Sequence, residues 1–327
     1  MAKTMKPLTL ADFSWSHPGM NRAECLILTR DVGLFAAHNG IGVRHVAPDG
    51  TSTLYGRRDG VSTQDFTPNG IALTQDGRLI IANIGLEGGV WQVDRSGTCR
   101  PLLMEVDGQP LYPANFTLAD AQGRLWISVS TRLKPRGLAY RTTADDGYIV
   151  LLDQRGARIV ADGLGYANEC RISNDGRHLY VNETFTRRVS RFPILTDGSL
   201  GLREIFTTLG PGDFPDGGTF DADGWYWMTS VVSNRIYRVA PSGEPHLMFE
   251  DADRAYVDRA EAAFQAGTLT VEILTAKSGS AISHIASIAF GGPDLRTAYL
   301  GTLGMDSLPS FQVDVSGQMP AHWAWRF

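Results

Sequence analysis

One arrangement of apolar and polar positions recurs six times along the chain. Each copy has a turn pair, a short apolar run, and a further run in which polar and apolar residues alternate. The turn phrases begin at Asp31, Gln75, Gln122, Asn174, Ala222 and Pro293. Gln75-Asp76-Gly77-Arg78-Leu79-Ile80-Ile81 shows the phrase in full. Asp-Gly between two β-forming runs predicts a hairpin, because the tight turn needs a positive φ that glycine adopts without steric cost. A third strand follows each hairpin, starting at Val43, Val90, Tyr148, Val189, Ile236 and Phe311. Most copies then turn near a glycine, at Gly50, Gly97, Gly156, Gly198, Gly243 and Gly317, into a fourth strand. Six units of four antiparallel strands with no helical spacer predict an all-β chain folded as a six-bladed β-propeller.

A solenoid would need atypical capping units, and neither end of the repeat array carries one. The stretches 8–15 and 322–327 are instead candidates for a strand that closes the ring. The sixth unit is interrupted by an insertion at about residues 250–283, where Val257, Ala260 and Phe264 share one helical face ahead of Gly267. The chain over residues 1–327 thus reads as one propeller domain with a single excursion.

Composition agrees: the 327 residues are 43% hydrophobic and 20% charged, too apolar for a disordered chain. The net charge of −5 leaves no basic footprint for nucleic acid. No run of about 18 apolar residues predicts a membrane span. The segment 1–12 lacks the apolar stretch of a leader, so a cytoplasmic protein is expected. Cys25, Cys99 and Cys170 are odd in number and at no metal-ligand spacing, which predicts reduced thiols, with Cys25 and Cys170 in blade packing.

The candidate chemistry lies at the start of each first strand. Those starts align as Glu24, Asn69, Asn115, Asn168, Asp216 and Ala286, at spacings of 45, 46, 53, 48 and 70, the last lengthened by the insertion. In a propeller the first strand is innermost, so six leading side chains converge on the axis. Taken singly, Pro68-Asn69-Gly70 and Pro215-Asp216-Gly217 read as turns and Glu24 as a surface acid. Taken together, two carboxylates in a closed channel require a counter-charge. No Lys or Arg shares their register, so one divalent metal ion is the expected occupant. An all-oxygen donor set favours Ca²⁺, with Mg²⁺, Mn²⁺, Fe²⁺ and Zn²⁺ as alternatives.

At these residues the chain resembles the SMP-30/gluconolactonase/LRE family of six-bladed propellers, over roughly residues 20–315. The matching motifs are Ala23-Glu24, Ala167-Asn168, Phe214-Pro215-Asp216-Gly217 and the phrase from Phe290 to Leu300. The resemblance implies a metal held by Glu24, Asn168 and Asp216, with Asn115 on the metal or beside the substrate, and lactone hydrolysis as the activity. Sugar-lactone members read Arg-x-Asn-Asp-Gly in the third unit, where this chain has Pro113-Ala114-Asn115-Phe116-Thr117. A less hydroxylated ester is therefore expected, with Tyr112, Phe116, Phe185, Phe214 and Trp225 as candidate apolar walls. Asn168 is followed by Glu169 where the family has glycine.

Within this set Asp216 is the candidate base for an attacking water, and Asn115 the candidate N–H donor to the oxyanion. No Gly-x-Ser-x-Gly elbow supports a serine triad. Asn69, Tyr112, Phe116, Arg132 and His284 complete the candidate substrate contacts, His284 as a pocket acid or base. Arg132 belongs to a loop, residues 131–146, that also carries Lys134, Arg136 and Arg141 and could meet a substrate carboxylate. Arg187 and Arg188 offer a second basic pair. The expected partner is a small-molecule substrate. Phosphotriester hydrolysis and noncatalytic ligand binding compete with lactone opening for the same ring.

Overall fold

The computed structural model describes residues 5–39, 42–276 and 278–327. Residues 1–4 of the stretch read above for a leader, and residue 277 of the insertion, lie outside the described residues. Among the described residues six four-stranded antiparallel sheets are formed, with 43% of the chain in strands and 7% in helices, as the six-bladed reading requires.

Five blades run from inner to outer strand in chain order. The inner strands of blades 1 to 5 are Leu26–Leu28, Pro68–Leu73, Ala114–Ala119, Ala167–Ile172 and Pro215–Phe220. Their outer strands are Ser52–Tyr55, Cys99–Leu103, Gly156–Leu164, Glu204–Thr208 and Pro245–Glu250. The hairpins form where Asp-Gly or Gln-Gly predicts them, with Gly77, Gly123, Gly176 and Gly224 all at positive φ. In blades 3 and 5 the aspartate before the turn does more than shape it. Asp120 accepts from Trp126 Nε1 at 2.8 Å, and Asp221 from Trp227 Nε1 at 3.0 Å, which locks two buried indoles in place.

Blade 6 closes the ring with a strand from the other end of the chain. Its inner strands are Ile285–Gly291, Thr297–Thr302 and Leu308–Gln312, and Phe13–Ser16 pairs with the last of these in the register Phe13 to Phe311 and Ser16 to Leu308. Of the two candidate closing stretches the N-terminal one forms the strand. Phe13 is buried with its ring 4.5 Å from Phe249 and 5.1 Å from Phe311, so the seam is filled by an aromatic cluster. The C-terminal residues take a different job. They cross the channel mouth at the end of the inner strands away from the ring residues, where Arg30 N donates to Trp323 O at 2.9 Å and Phe327 meets Tyr55 edge-on at 4.6 Å.

The insertion leaves the blade pattern as expected. Helix α1 (Arg254–Gln265) is capped by Asp253, whose side chain accepts from Tyr256 N, and buries Tyr256, Val257, Ala260 and Phe264. A short helix α2 (Val271–Leu274) follows. Asp251 clips the two ends of the excursion together by accepting from the backbone N–H groups of Ser280, Ala281 and Ile282 at 3.1, 2.9 and 2.7 Å. No helix among the described residues is long and apolar enough to cross a membrane.

Two stability predictions follow from the closures. Phe13→Ala should cost about 3 to 5 kcal/mol in urea unfolding, whereas Trp15→Ala, on the exposed face of the same strand, should cost under about 1 kcal/mol; equal losses would mean that the seam is not anchored at Phe13. At the far mouth, burial first and then the Arg171 charge push the His322 imidazole down to about 4. The unfolded chain takes up that proton from about pH 6.5 and the folded chain only near pH 4, so this contribution is complete above pH 6.5 and is lost as pH falls towards 4. Unfolding midpoints at pH 7, 5.5 and 4 should show a shallower acid slope for His322→Asn than for the wild type.

Candidate functional site

Five of the six inner strands shift register at one level: between Pro68 and Ile71, Ala114 and Phe116, Ala167 and Cys170, Pro215 and Gly218, and Ile285 and Ser287. A bulge re-aims a side chain and takes backbone groups out of the ladder. Here the preceding blade supplies partners for the freed carbonyls. Asn69 Nδ2 donates to Asn115 O at 3.0 Å, Ser130 Oγ to Ala167 O at 3.0 Å, Asn182 Nδ2 to Asp216 O at 2.8 Å and Thr229 Oγ1 to Ala286 O at 2.8 Å. Ser287 Oγ donates to Glu24 O across the closing seam, and Arg22 Nη1 to Pro68 O at 3.0 Å completes the circuit. Gly70 and Gly217 belong to this crowding rather than to turns. A Cβ at Gly70 would lie 2.4 Å from Phe116 Cα, and one at Gly217 2.5 Å from Ala286 O.

Glu24, Asn69, Asn115, Asn168 and Asp216 come together at this level on the wall of one cavity of about 690 Å³, and all five are at least nine-tenths buried. Asn69 is saturated. Its Nδ2 donates to Glu24 Oε1 at 2.6 Å and to Asn115 Oδ1 at 3.3 Å, while its Oδ1 accepts from Arg22 Nη2 at 2.7 Å. Asn115 Nδ2 donates to Ser130 Oγ at 3.0 Å, and Asn168 Nδ2 to Thr184 Oγ1 at 3.0 Å. Asn168 Oδ1 is buried without a donor among the described residues. Burial, followed by Glu24 and Glu169, raises the Asp216 carboxyl well above its ordinary range, against the pull of the Asn168 amide and Arg22.

One expectation is corrected here. A basic side chain does join the acids: Arg22 Nη2 lies 2.6 Å from Glu24 Oε2, reaching in from two residues before the ring position. The donor chemistry nonetheless fits a hard cation. Two carboxylates and an unpartnered amide oxygen share one cavity, and all donors are oxygen. Among the described residues no cluster of three His, Cys, Asp or Glu side chains has metal-binding form, so the amides would have to take part. Glu169, the departure from the family pattern, is neutralised locally by Arg171 at 2.7 Å, and burial pushes its carboxyl up to about 7.

Of the remaining candidates the structure brings His284 and Phe185 to the cavity and leaves others outside it. His284 is 2% exposed, both ring nitrogens are without partners among the described residues, and burial holds its imidazole below the ordinary range. Tyr112 lies under Lys134, and Phe116 packs beneath Arg171 in the core on the opposite face of the strand from Asn115. Arg132 pairs with Asp162 at 2.8 Å and covers Tyr148, so it is a structural clasp of the outer blade rather than a cavity residue. Phe214 is fully buried behind the cavity, and Trp225 stacks under Arg238. Arg187 is bound to Glu261 of α1 and Arg188 to Glu183.

Sequence reading named His284 as a pocket residue but missed Arg22 and Tyr166. Arg22, Tyr166 and His284 each stand two positions before a ring residue, and all three hold positive φ, at 53°, 67° and 57°. That conformation is costly for a side-chain-bearing residue, and here it accompanies three side chains that line the cavity. Arg136 reaches the same wall from the loop of blade 3 and donates to the Tyr166 hydroxyl at 3.0 Å. Tyr140, Phe185 and the α2 residues Val271 and Leu274 add an apolar rim.

Comparison with known proteins agrees with this fold. The SMP-30/Gluconolactonase/LRE-like region matches residues 44–249. A 6-deoxy-6-sulfogluconolactonase of Pseudomonas putida is 25% identical over 70% of this chain, and the chain spans just under two thirds of that relative, 66% of its length. A gluconolactonase from Xanthomonas campestris superposes with a TM-score of 0.67 at 17% identity, covering 94% of each chain. The calcium-binding regucalcin of Agrobacterium tumefaciens does so with a TM-score of 0.62 at 16% identity, covering 96% of this chain and 94% of that one.

The linkage between this circuit of carbonyl hydrogen bonds and the site is testable at Thr184, whose Oγ1 accepts from Asn168 and donates to Pro215 O at 2.8 Å. Thr184→Val keeps the shape and strands both partners. Urea denaturation should show a loss of about 1 to 3 kcal/mol; no loss would mean that the two partners are satisfied without the hydroxyl.

Proposed function

The chain belongs to the SMP-30/gluconolactonase/LRE-like family, and on that premise we propose that it is a metal-dependent hydrolase that opens a lactone. One observation carries the reading: two buried carboxylates and an orphaned amide oxygen converge on one cavity from three different blades. The names of relatives such as the sulfogluconolactonase and the gluconolactonase support the same reaction class. Glu24, Asn168 and Asp216 would hold the ion, Ca²⁺ ahead of Mg²⁺, Mn²⁺, Fe²⁺ or Zn²⁺. When bound, the ion supplies positive charge that polarises the ester carbonyl and makes water a better acid.

The chain's own residues do the rest. Asp216 is the proton acceptor, since a carboxylate that gives one oxygen to the ion keeps the other for a water in the cavity it lines. Asn115 spends one Nδ2 hydrogen on Ser130 and keeps a second for the oxyanion. Asn69 and Arg22 act as positioning residues that fix the Glu24 carboxylate. The rim of Tyr140, Phe185, Val271 and Leu274 excludes water and suits a substrate less hydroxylated than a sugar lactone. The free thiols Cys25, Cys99 and Cys170 support a reducing, cytoplasmic setting.

The test is metal analysis of the purified protein followed by a panel of lactones and aryl phosphotriesters, with and without chelator. Chelation should abolish lactone opening and calcium restore it. Asp216→Asn should lower kcat/KM by about a hundredfold or more and weaken metal retention, while Asn69→Ala should weaken metal retention by about tenfold. Full metal-dependent turnover by Asp216→Asn would falsify the centre. Turnover confined to phosphotriesters would replace the lactone reading.

A further inference from the structure

The charges on the cavity wall do not balance once its centre is filled. Glu24 and Asp216 supply two negative charges, and Arg22 and Arg136 two positive ones. Bound to a divalent cation both acids are ionised, and the wall then carries a surplus of two positive charges. Arg22 is accounted for: its guanidinium holds Glu24, Asn69 Oδ1 and Pro68 O. Arg136 is not. It donates to the Tyr166 hydroxyl and faces no carboxylate at ion-pair distance among the described residues. Its surroundings are aromatic, with Tyr140 and Tyr166 at 5.6 Å and Tyr140 and Phe185 at 4.7 Å between ring centroids.

A permanently charged guanidinium with donors to spare, against an apolar wall that strengthens any ion pair, is a site for an anion. From this we propose that Arg136 is a specificity residue that binds an anionic substituent, a carboxylate or a sulfonate, on the substrate. The inference rests on the lactone-hydrolase reading and narrows it: the substrate is a charged lactone whose ring lies towards Glu24 and Asp216 and whose anionic arm lies against Arg136 and Tyr166. A cavity of about 690 Å³ holds a single ring with one such arm. The aromatic rim covers the uncharged part, which agrees with a substrate poor in hydroxyls.

Binding separates this proposal from the catalytic one. Calorimetric titration of the calcium-loaded protein would use tetrahydrofuran-2-carboxylate and tetrahydrofuran-2-sulfonate, which have a ring and a charge but no scissile ester, against neutral tetrahydrofuran-2-carboxamide. At least one anion should bind about tenfold or more tightly than the amide, and Arg136→Gln should erase that difference. Which anion wins distinguishes carboxylate from sulfonate. Arg136→Lys, which keeps the charge and loses the planar fork, should retain part of the difference, and it reads the same ratio should Arg136→Gln not fold. In turnover, the ratio of kcat/KM for 5-oxotetrahydrofuran-2-carboxylate over its carboxamide should fall in parallel. Equal binding of charged and neutral ligands by the wild type, or a difference that survives in folded Arg136→Gln, overturns the anion site. Absence of lactone turnover alongside intact anion binding overturns the hydrolase reading alone.

Discussion

The molecule is governed by the need to satisfy backbone carbonyls released where the inner strands bulge. An unpaired carbonyl in the dry neck of the channel costs about 1 to 3 kcal/mol, and the strain recurs at one level around the ring. Each blade meets it by lending a side chain to its neighbour, as Ser130 does for Ala167 and Asn182 for Asp216. The result is a circular belt of hydrogen bonds that no blade can complete alone. Ser130 and Thr184, which serve the belt, also orient Asn115 and Asn168, so fold and site share their supports.

Around that belt the electrostatics are arranged in layers. Arg171 neutralises Glu169 on the side towards the far mouth, with its guanidinium over Phe116, and Arg22 steadies Glu24 at the cavity. Asp216 is left as the acid whose charge is least compensated, and burial raises its carboxyl accordingly. Buried ion pairs contribute little net stability. Their effect here is to confine the unmet demand for positive charge to one place, between Asp216 and the unpartnered oxygen of Asn168.

Much of this was legible in the sequence because both signals involved are periodic. Alternation of period two and the Asp-Gly turns fix strands and hairpins locally, and a constant offset before each turn aligns Glu24, Asn69, Asn115, Asn168 and Asp216 without knowledge of their contacts. The helical face of Val257, Ala260 and Phe264 was equally plain. Phe116 and Arg132 were misplaced for opposite reasons. Phe116 follows Asn115 directly and the pleat turns it away. Arg132 lies in an irregular loop where sequence carries no direction. Arg22 escaped because the sign of φ at a residue other than glycine leaves no trace in composition, and Gly70 and Gly217 looked like turn residues because close approach and chain reversal call for the same amino acid.

The left-handed residues two places ahead of the ring have a wider consequence. In blades 4 and 6 they separate recognition from reaction by one bulge: the ring position is set by the belt, whereas Tyr166 and His284 enter the cavity from backbone ahead of it. Each of those two blades is thus a cassette with one slot held by the belt and one outside it, like a tumbler beside the fixed pin of a lock. A change at Tyr166 or His284 alters what the cavity meets without removing a side chain from the belt.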